Sequence, residues 1–399
     1  MRAAGTLPRR THASARISER PCPGVALAPT TDAAVQPIFG ACEYGHPVSQ
    51  FQRPFAVVLA GGVGSRFWPA SRPERPKQLL PLGSDRPLIV DTVERAIHLA
   101  GPARTLIVTG DRLVEPFRDA LPELTSDSFL VEPEPRGTGP ALAWAAHEIA
   151  RREPEAVMVS LHADHVIEPL EDFLETLQRG VAAAGGERLL CLGIEPSRAE
   201  TGYGYVRLGD EIEPGVYEAA RFVEKPSLEK ARDYLDSGEY VWNSGIFVWR
   251  AVDLLTAVGR HAPEIRLDLL QAGDVGGFFE RSGPIAVDVA VMERSDRVGV
   301  VAASFRWDDV GGWNALHRTR RPDGEDNVIL GSGKVVEGSG NVVWSEDGDV
   351  TLFRVRDLVV VHSGGHTFVT TSEDASEMKR IFDRIDEGEN ETADRRGRS

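Results

Sequence analysis

The sequence is poor in cysteine, lacks any long apolar run and carries no excess of basic charge. Three cysteines stand among 399 residues, Cys22, Cys42 and Cys191. They form no CxxC pair and no Cys/His cluster, so neither a structural zinc site nor a disulfide framework is expected, and a reducing compartment, the cytoplasm, fits best. No run of about 18 or more apolar residues occurs, which predicts no transmembrane helix and no membrane partner. Acidic residues outnumber basic ones 61 to 45, for a formal net charge of −16. Such a balance excludes non-specific binding of nucleic acid, which relies on a basic surface. An anionic substrate must therefore find a local positive pocket.

Familiar catalytic and phosphate-binding patterns are missing too. A Walker A loop needs Gly-Lys followed by Ser or Thr, and Gly331-Ser-Gly-Lys334 is followed by Val335. A dinucleotide fingerprint needs a third glycine where Phe67 stands. No Ser/His/Asp or Cys/His constellation suggests a nucleophilic enzyme. The remaining composition, 41% hydrophobic and 27% charged, is ordinary for a globular chain. The length suggests two or three domains of about 100–200 residues.

Residues 1–52 are rich in Ala, Arg, Pro and Ser without sustained periodicity. The segment has a superficial likeness to an organellar transit peptide, but it reads as a disordered or wrongly assigned extension. Order begins near Phe55. The apolar runs Phe55–Ala60, Thr105–Thr109, Ala156–Leu161 and Arg188–Gly193 read as strands, and Pro140–Arg151 as an Ala-rich helix. Strands separated by helices imply an α/β domain over residues 53–322, with a mainly parallel sheet covered on both faces. After about residue 325 the texture becomes all-β. The runs 327–330, 334–336, 341–344 and 358–361 are short and separated by Gly, Ser, Asn and Asp, as in a few turns of a β-helix over residues 323–375. A polar helix from about Ser372 and a charged tail, residues 376–399, end the chain.

Leu59-Ala-Gly-Gly-Val-Gly-Ser-Arg-Phe-Trp-Pro69 follows the first strand, and Pro76-Lys-Gln-Leu-Leu-Pro81 comes soon after. Glycines at that place let backbone amides approach and wrap phosphate. Arg66 and Lys77 add positive charge. A lone Gly-rich stretch is more often a strand-ending turn, so other segments must decide. His162-Ala-Asp-His165 ends a strand, placing Asp164 at the usual ligand crevice of a parallel sheet. A second carboxylate candidate stands in Trp307-Asp-Asp-Val-Gly-Gly-Trp313, as Asp309 or its neighbour Asp308. Asp274-Val-Gly-Gly277 repeats four letters of that stretch and reads as a chance loop.

Together these segments resemble the sugar-1-phosphate nucleotidyltransferases, and the Trp68-Pro69 and Gln78-Leu79-Leu80 variants resemble their mannose-1-phosphate branch. The family's LAGGxGxRxxPxS loop stands here as Leu59 to Ser71, and its PKQLLPL as Pro76 to Leu82. By resemblance, Leu59, Gly61, Gly62, Gly64, Ser65, Arg66 and Lys77 wrap the nucleotide triphosphate. Glu132-Pro-Glu-Pro-Arg-Gly-Thr-Gly-Pro140 is similar to a segment near the base, which implicates Arg136, Thr138 and Gly139; Gly137 and Gly139 depart from the family's Asn and Ala. Asp164 and Asp309 match the family's Mg²⁺ ligands, with His162 where the branch often has Pro. Thr201–Tyr205, Phe222–Pro226 and Trp242–Phe247 match the sugar-side motifs. They imply that Gly204, Glu224 and Asn243 contact the sugar, and Lys225 its phosphate.

The resemblance implies a Rossmann-like fold and transfer of GMP from GTP to mannose 1-phosphate, giving GDP-mannose and pyrophosphate. Arg66, Lys77, Lys225 and Asp164 would carry catalysis, with Mg²⁺ as cofactor. Glucose 1-phosphate with UTP or dTTP remains an alternative, as does a sugar-nucleotide sensor without turnover. A glycosyltransferase would commonly show a DxD motif, which the His-Ala-Asp-His site lacks. Bifunctional members of the branch add a cupin-type isomerase domain. No His/Glu cluster after residue 325 suits one, so transferase activity alone is expected. A homodimer is compatible with the sequence.

Overall fold

A computed structural model describes residues 53–378 apart from Val63. The expected N-terminal extension, and the charged tail beyond residue 378, lie outside the described residues. The main sheet is built from β1 (Phe55–Leu59), β2 (Thr105–Gly110), β3 (Phe129–Glu132) and β4 (Val157–His162). A short β5 (Val166–Glu168) leaves it, and β6 (Leu189–Ile194), β7 (Gly204–Glu213), β8 (Val216–Val223), β9 (Tyr240–Arg250) and β10 (Val298–Ala302) complete it. The nine strands run in the order β3-β2-β1-β4-β9-β6-β10-β8-β7. Only β8 and β9 oppose the other seven, so the sheet is mixed and mainly parallel.

Alternation along β1 shows why both faces are covered. Phe55, Val57 and Leu59 enter one core with α3 (Thr138–Arg152) and α6 (Ala251–His261), elements defined here with α1 (Leu88–Ala100), α2 (Asp111–Ala120), α4 (Leu170–Ala183) and α5 (Leu228–Ser237). Ala56, Val58 and Ala60 enter the other, against Ile89 and Val93 of α1 and Phe173 and Leu177 of α4. Successive residues of a strand face opposite sides, so an unbroken apolar run suits a strand buried twice over. No helix among the described residues is long and apolar enough to cross a membrane.

Beyond β11 (Arg306–Asp308) lies a four-stranded unit: β12 (Val328–Val336), β13 (Val342–Phe353), β14 (Leu358–Ser363) and β15 (His366–Thr371). The first three stack in parallel, Val328 on Val342 on Val359, which is β-helix-like. Buried Asn327 and Asn341 mark the same corner of successive turns. The Asn341 amide donates to Asn327 Oδ1 at 2.9 Å, while its own oxygen accepts from Leu358 N–H. The runs 327–330 and 334–336 are one irregular strand rather than two. Strand β15 has no sequence signal, because its run His-Thr-Phe-Val-Thr-Thr lacks the apolar continuity of a core strand and none of its residues is buried. At Ser372, where a polar helix was expected, the described residues show a single 3-10 turn, Asp374–Glu377.

This unit braces the loops that carry several of the expected site residues. Its Val342, Trp344 and Val359 share a third core with Phe67, Leu80, Val310 and Trp313. Phe67 meets Trp313 edge-on at 5.0 Å, and Trp313 meets Trp344 at 5.5 Å. The Gly-rich loop, the Lys77 segment and the Asp309 turn are thus packed onto one apolar support.

Candidate active site

Leu59 and His162 are register partners on parallel β1 and β4, so the Gly61–Gly64 loop and Asp164 leave the same edge of the sheet side by side. Asp309 arrives by another route. Antiparallel pairing of β11 with β5 sets Asp308 opposite Val166, which places the next residue against the His162–His165 turn.

Lys77 joins the three segments. Its ammonium donates to Asp164 Oδ2 at 2.8 Å and to the Asp309 carbonyl at 2.7 Å, and the residue is only 7% exposed. Gly64 fits around its stem at φ +71°, where an added Cβ would lie 2.3 Å from Lys77 Cβ. Gln78 closes the loop by donating to the Gly61 carbonyl at 2.7 Å. Burial opposes ionisation of Asp164, but Lys77, His165 and His162 outweigh it, and its carboxyl lies well below the usual range. Its stabilising pairing is present above the ordinary carboxylate pKa and is lost only in acid, as pH falls through the lowered value.

The structure separates the two neighbouring aspartates. Asp308 accepts both arms of Arg318, at 2.6 and 3.1 Å, and the Val310 amide at 2.8 Å, so it is consumed locally. Among the described residues, the Asp309 carboxylate accepts only from the Tyr203 hydroxyl, at 2.6 Å, on Oδ1. Burial, with Asp308 and Asp164 nearby, raises its pKa against the opposing pull of Tyr203 and Lys77. His162, Asp164 and His165 have ligand atoms within 4.8 Å of one another, close enough to share a metal ion. His165 Nδ1 already accepts from Trp307 Nε1 at 3.1 Å, which leaves the ring proton on Nε2. Asp164 and His162 are therefore the freer donors of the three.

Beside this cluster is a cavity of about 250 Å³, lined by Leu59, Gly61, Gly62, Glu132, Thr138 and Asp164 among others. Glu132 was not singled out in the sequence. It ends β3, and among the described residues no donor reaches its carboxylate. Burial alone pushes its pKa up to about 7. Arg136 and Gly139 do not line the cavity. Arg136 binds Glu134 at 2.8 Å and the Glu280 carbonyl at 3.1 Å, and the Gly139 amide donates to the Ile285 carbonyl at 2.9 Å. Thr138 Oγ1 accepts from Val287 N–H. Helix α3 begins at Thr138, two residues before the expected Pro140.

The two glycine departures have a cause. A Cβ on Gly137 or on Gly139 would lie 2.8 Å from the Ile285 carbonyl oxygen. Gly139→Ala is therefore expected to cost about 1–3 kcal/mol, the usual range for overpacking, and thermal unfolding would show it as a Tm several degrees lower. An unchanged Tm would mean that the Ile285 segment yields without strain.

On the other side, Gly204 pairs with Asn243 across β7 and β9. Glu224 and Lys225 follow β8 and pair with each other. Burial raises the Glu224 pKa despite that lysine. Two further acids were missed: Asp288 accepts from Asn243 Nδ2 at 2.6 Å, and Glu293 accepts from Glu224 N–H at 2.9 Å. Asp288 opens a π-turn, Asp288–Met292, and Glu293 follows it; such turns are common at functional sites. Ser65 opens a 3-10 turn, and Arg66 reaches the Gly311 carbonyl at 3.4 Å from an exposed position. Asp274-Val-Gly-Gly277 is not a loop but the capped start of a short helix, Val275–Arg281.

The nucleotidyl transferase family model matches residues 55–325. The chain belongs to that family. It is 32% identical to the mannose-1-phosphate guanylyltransferase RfbM of Salmonella typhimurium, over 82% of this chain and 71% of that one. It is 35% identical to a mannose-1-phosphate guanylyltransferase of Escherichia coli K12, over 83% and 73%. Among solved structures, a Thermus thermophilus protein titled mannose-1-phosphate geranyltransferase superposes with a TM-score of 0.78 at 35% identity, covering 84% of this chain and 99% of that one. In this nucleotidyl transferase the Gly-rich loop, Asp164 and Asp309 come together around Lys77.

Proposed function

We propose that this nucleotidyl transferase moves GMP from GTP to α-D-mannose 1-phosphate, giving GDP-mannose and pyrophosphate. The observation that carries the reading is the Lys77 ammonium between the Asp164 carboxylate and the Asp309 carbonyl. A cation already stands where two acidic residues meet beside the cavity lined by the Gly-rich loop, so the donor set fits a hard divalent ion such as Mg²⁺. Asp164 and Asp309 would hold it, and bound Mg²⁺ supplies charge neutralisation of phosphate oxygens.

The chain's own residues align the reactants. The sugar phosphate is already an oxyanion, so no general base is needed. Its oxygen attacks the α-phosphorus of GTP, the bond to the β-phosphate oxygen breaks, and pyrophosphate departs with that electron pair. Lys225 orients the attacking phosphate, and Glu224, Asn243 and the Gly204 backbone hold the sugar. The amides of Gly61, Gly62 and Gly64, with Ser65, Arg66 and Lys77, neutralise the triphosphate. Leu59 floors the base pocket, and Glu132 accepts from guanine N1–H and N2–H₂. The last role supports GTP over UTP and dTTP, whose bases lack that pair of donors. The assembled cation site weighs against a sensor without turnover.

The reading extends to a cytoplasmic homodimer. Buried, unpaired Cys191 suits a reducing compartment. Phe353 and Val369, more than half exposed on the β unit, offer apolar surface to a second copy. The chemistry is tested with mannose 1-phosphate carrying ¹⁸O in its phosphate. Mass spectrometry should find all of that label in GDP-mannose and none in pyrophosphate. Label in pyrophosphate, or no GDP-mannose, would sink the proposed displacement.

A further inference from the structure

The tyrosine between the two glycines of the Thr201–Tyr205 motif faces away from the sugar side. Its hydroxyl lies 2.6 Å from Asp309 Oδ1 and 3.1 Å from Arg198 Nη2. A guanidinium can only donate, so the phenol oxygen accepts from Arg198 and its single proton goes to Asp309. The relay runs one way, from Arg198 through Tyr203 to the carboxylate.

Everything around the phenol resists rotation. Tyr203 is 8% exposed, and its ring stands edge-on to Trp242 at 5.2 Å and to Trp307 at 5.0 Å. Arg198 lies over the Trp242 ring at 5.0 Å and ties its Nε to Glu200 at 3.2 Å. Among the described residues no donor reaches Asp309 Oδ2, so the carboxylate has one oxygen fixed and one unspent.

We propose that Tyr203, braced by Arg198, is a positioning residue that orients Asp309 to ligate the divalent cation. The inference rests on the proposed role of Asp309 as a metal ligand. Partners that orient a ligand in this way typically change metal affinity by about 10–100-fold when removed. They leave the attacking and leaving groups untouched.

Two readouts on the full chain test this. The first is the Mg²⁺ concentration giving half-maximal turnover in Tyr203→Phe. It should rise about tenfold or more, while the rate at saturating Mg²⁺ falls less than about threefold, since only the orienting bond is lost. The second is Mn²⁺ affinity by electron paramagnetic resonance, with Lys77→Met as background so that the ammonium no longer competes. Adding Tyr203→Phe should weaken it by a similar factor. Should Tyr203→Phe fail to fold, Arg198→Gln keeps the phenol, removes its brace, and should shift both readouts the same way by a few-fold. Unchanged Mg²⁺ dependence and Mn²⁺ affinity in a folded Tyr203→Phe overturn the proposal and leave Asp309 as a ligand. Mn²⁺ binding that is absent from Lys77→Met and unaffected by Asp309→Asn in the unmodified protein overturns the ligand role itself, and the proposal with it.

Discussion

Replacing Glu132 with glutamine is expected to turn the enzyme from GTP towards xanthosine triphosphate. Guanine offers two donors on one edge, N1–H and N2–H₂, and a carboxylate accepts both. Glutamine keeps one acceptor and presents an amide donor to the other position, where xanthine carries an oxygen. The carboxylate is available because no donor among the described residues reaches it, and burial alone sets its pKa near 7. Hydrogen bonds to a charged group contribute about 1.5–3 kcal/mol each. Exchanging one for a donor–donor clash should lower kcat/KM for GTP by about 10²–10³-fold. The same ratio for xanthosine triphosphate should rise. Acidity gives an independent check. The carboxyl is ionised only above about pH 7, so the KM for GTP should climb as pH falls below that value, and Glu132→Gln should lose this limb. A variant with the parent's base preference and pH profile would remove Glu132 from recognition.

Lys77→Met should move two properties in opposite directions. The lysine is almost fully buried and spends its ammonium on Asp164 and the Asp309 carbonyl. An incoming divalent ion meets that charge at close range, a repulsion of several kcal/mol even at an effective dielectric of about 20. Removing it should tighten Mn²⁺ binding to the nucleotide-free protein by about tenfold or more. The same change removes a donor that would stabilise the departing pyrophosphate, so turnover should fall by about 10²–10³-fold. The wild-type protein should accordingly bind metal weakly until a triphosphate draws the ammonium away. Weaker metal binding in Lys77→Met would show that the lysine supports the cation site rather than occupying it.

Much of this was legible in the sequence because the informative residues sit in short runs. The strand of Phe55–Leu59 declares itself by apolar continuity, and the Gly61–Gly64 turn by its glycines. The less legible features depend on distant contacts. Asp308 and Asp309 look alike until Arg318 is seen to take the first. Glu132 opens a stretch whose resemblance pointed to Arg136, Thr138 and Gly139 instead, and only the folded strands and the loop from Pro135 to Thr138 reveal the cavity around its carboxylate. Asp288 and Glu293 depend on a π-turn with no sequence period of its own. The glycines at 137 and 139 look like relaxed loop positions, yet the backbone at Ile285 leaves room for nothing larger.

The central claim is tested most directly by pyrophosphate release with Mg²⁺ across a grid of sugar 1-phosphates and nucleoside triphosphates. The account predicts turnover with mannose 1-phosphate and GTP at a kcat/KM well above every other pair. Preference for glucose 1-phosphate with UTP or dTTP would contradict it and remove the guanine role from Glu132, and binding without turnover for every pair would contradict catalysis itself.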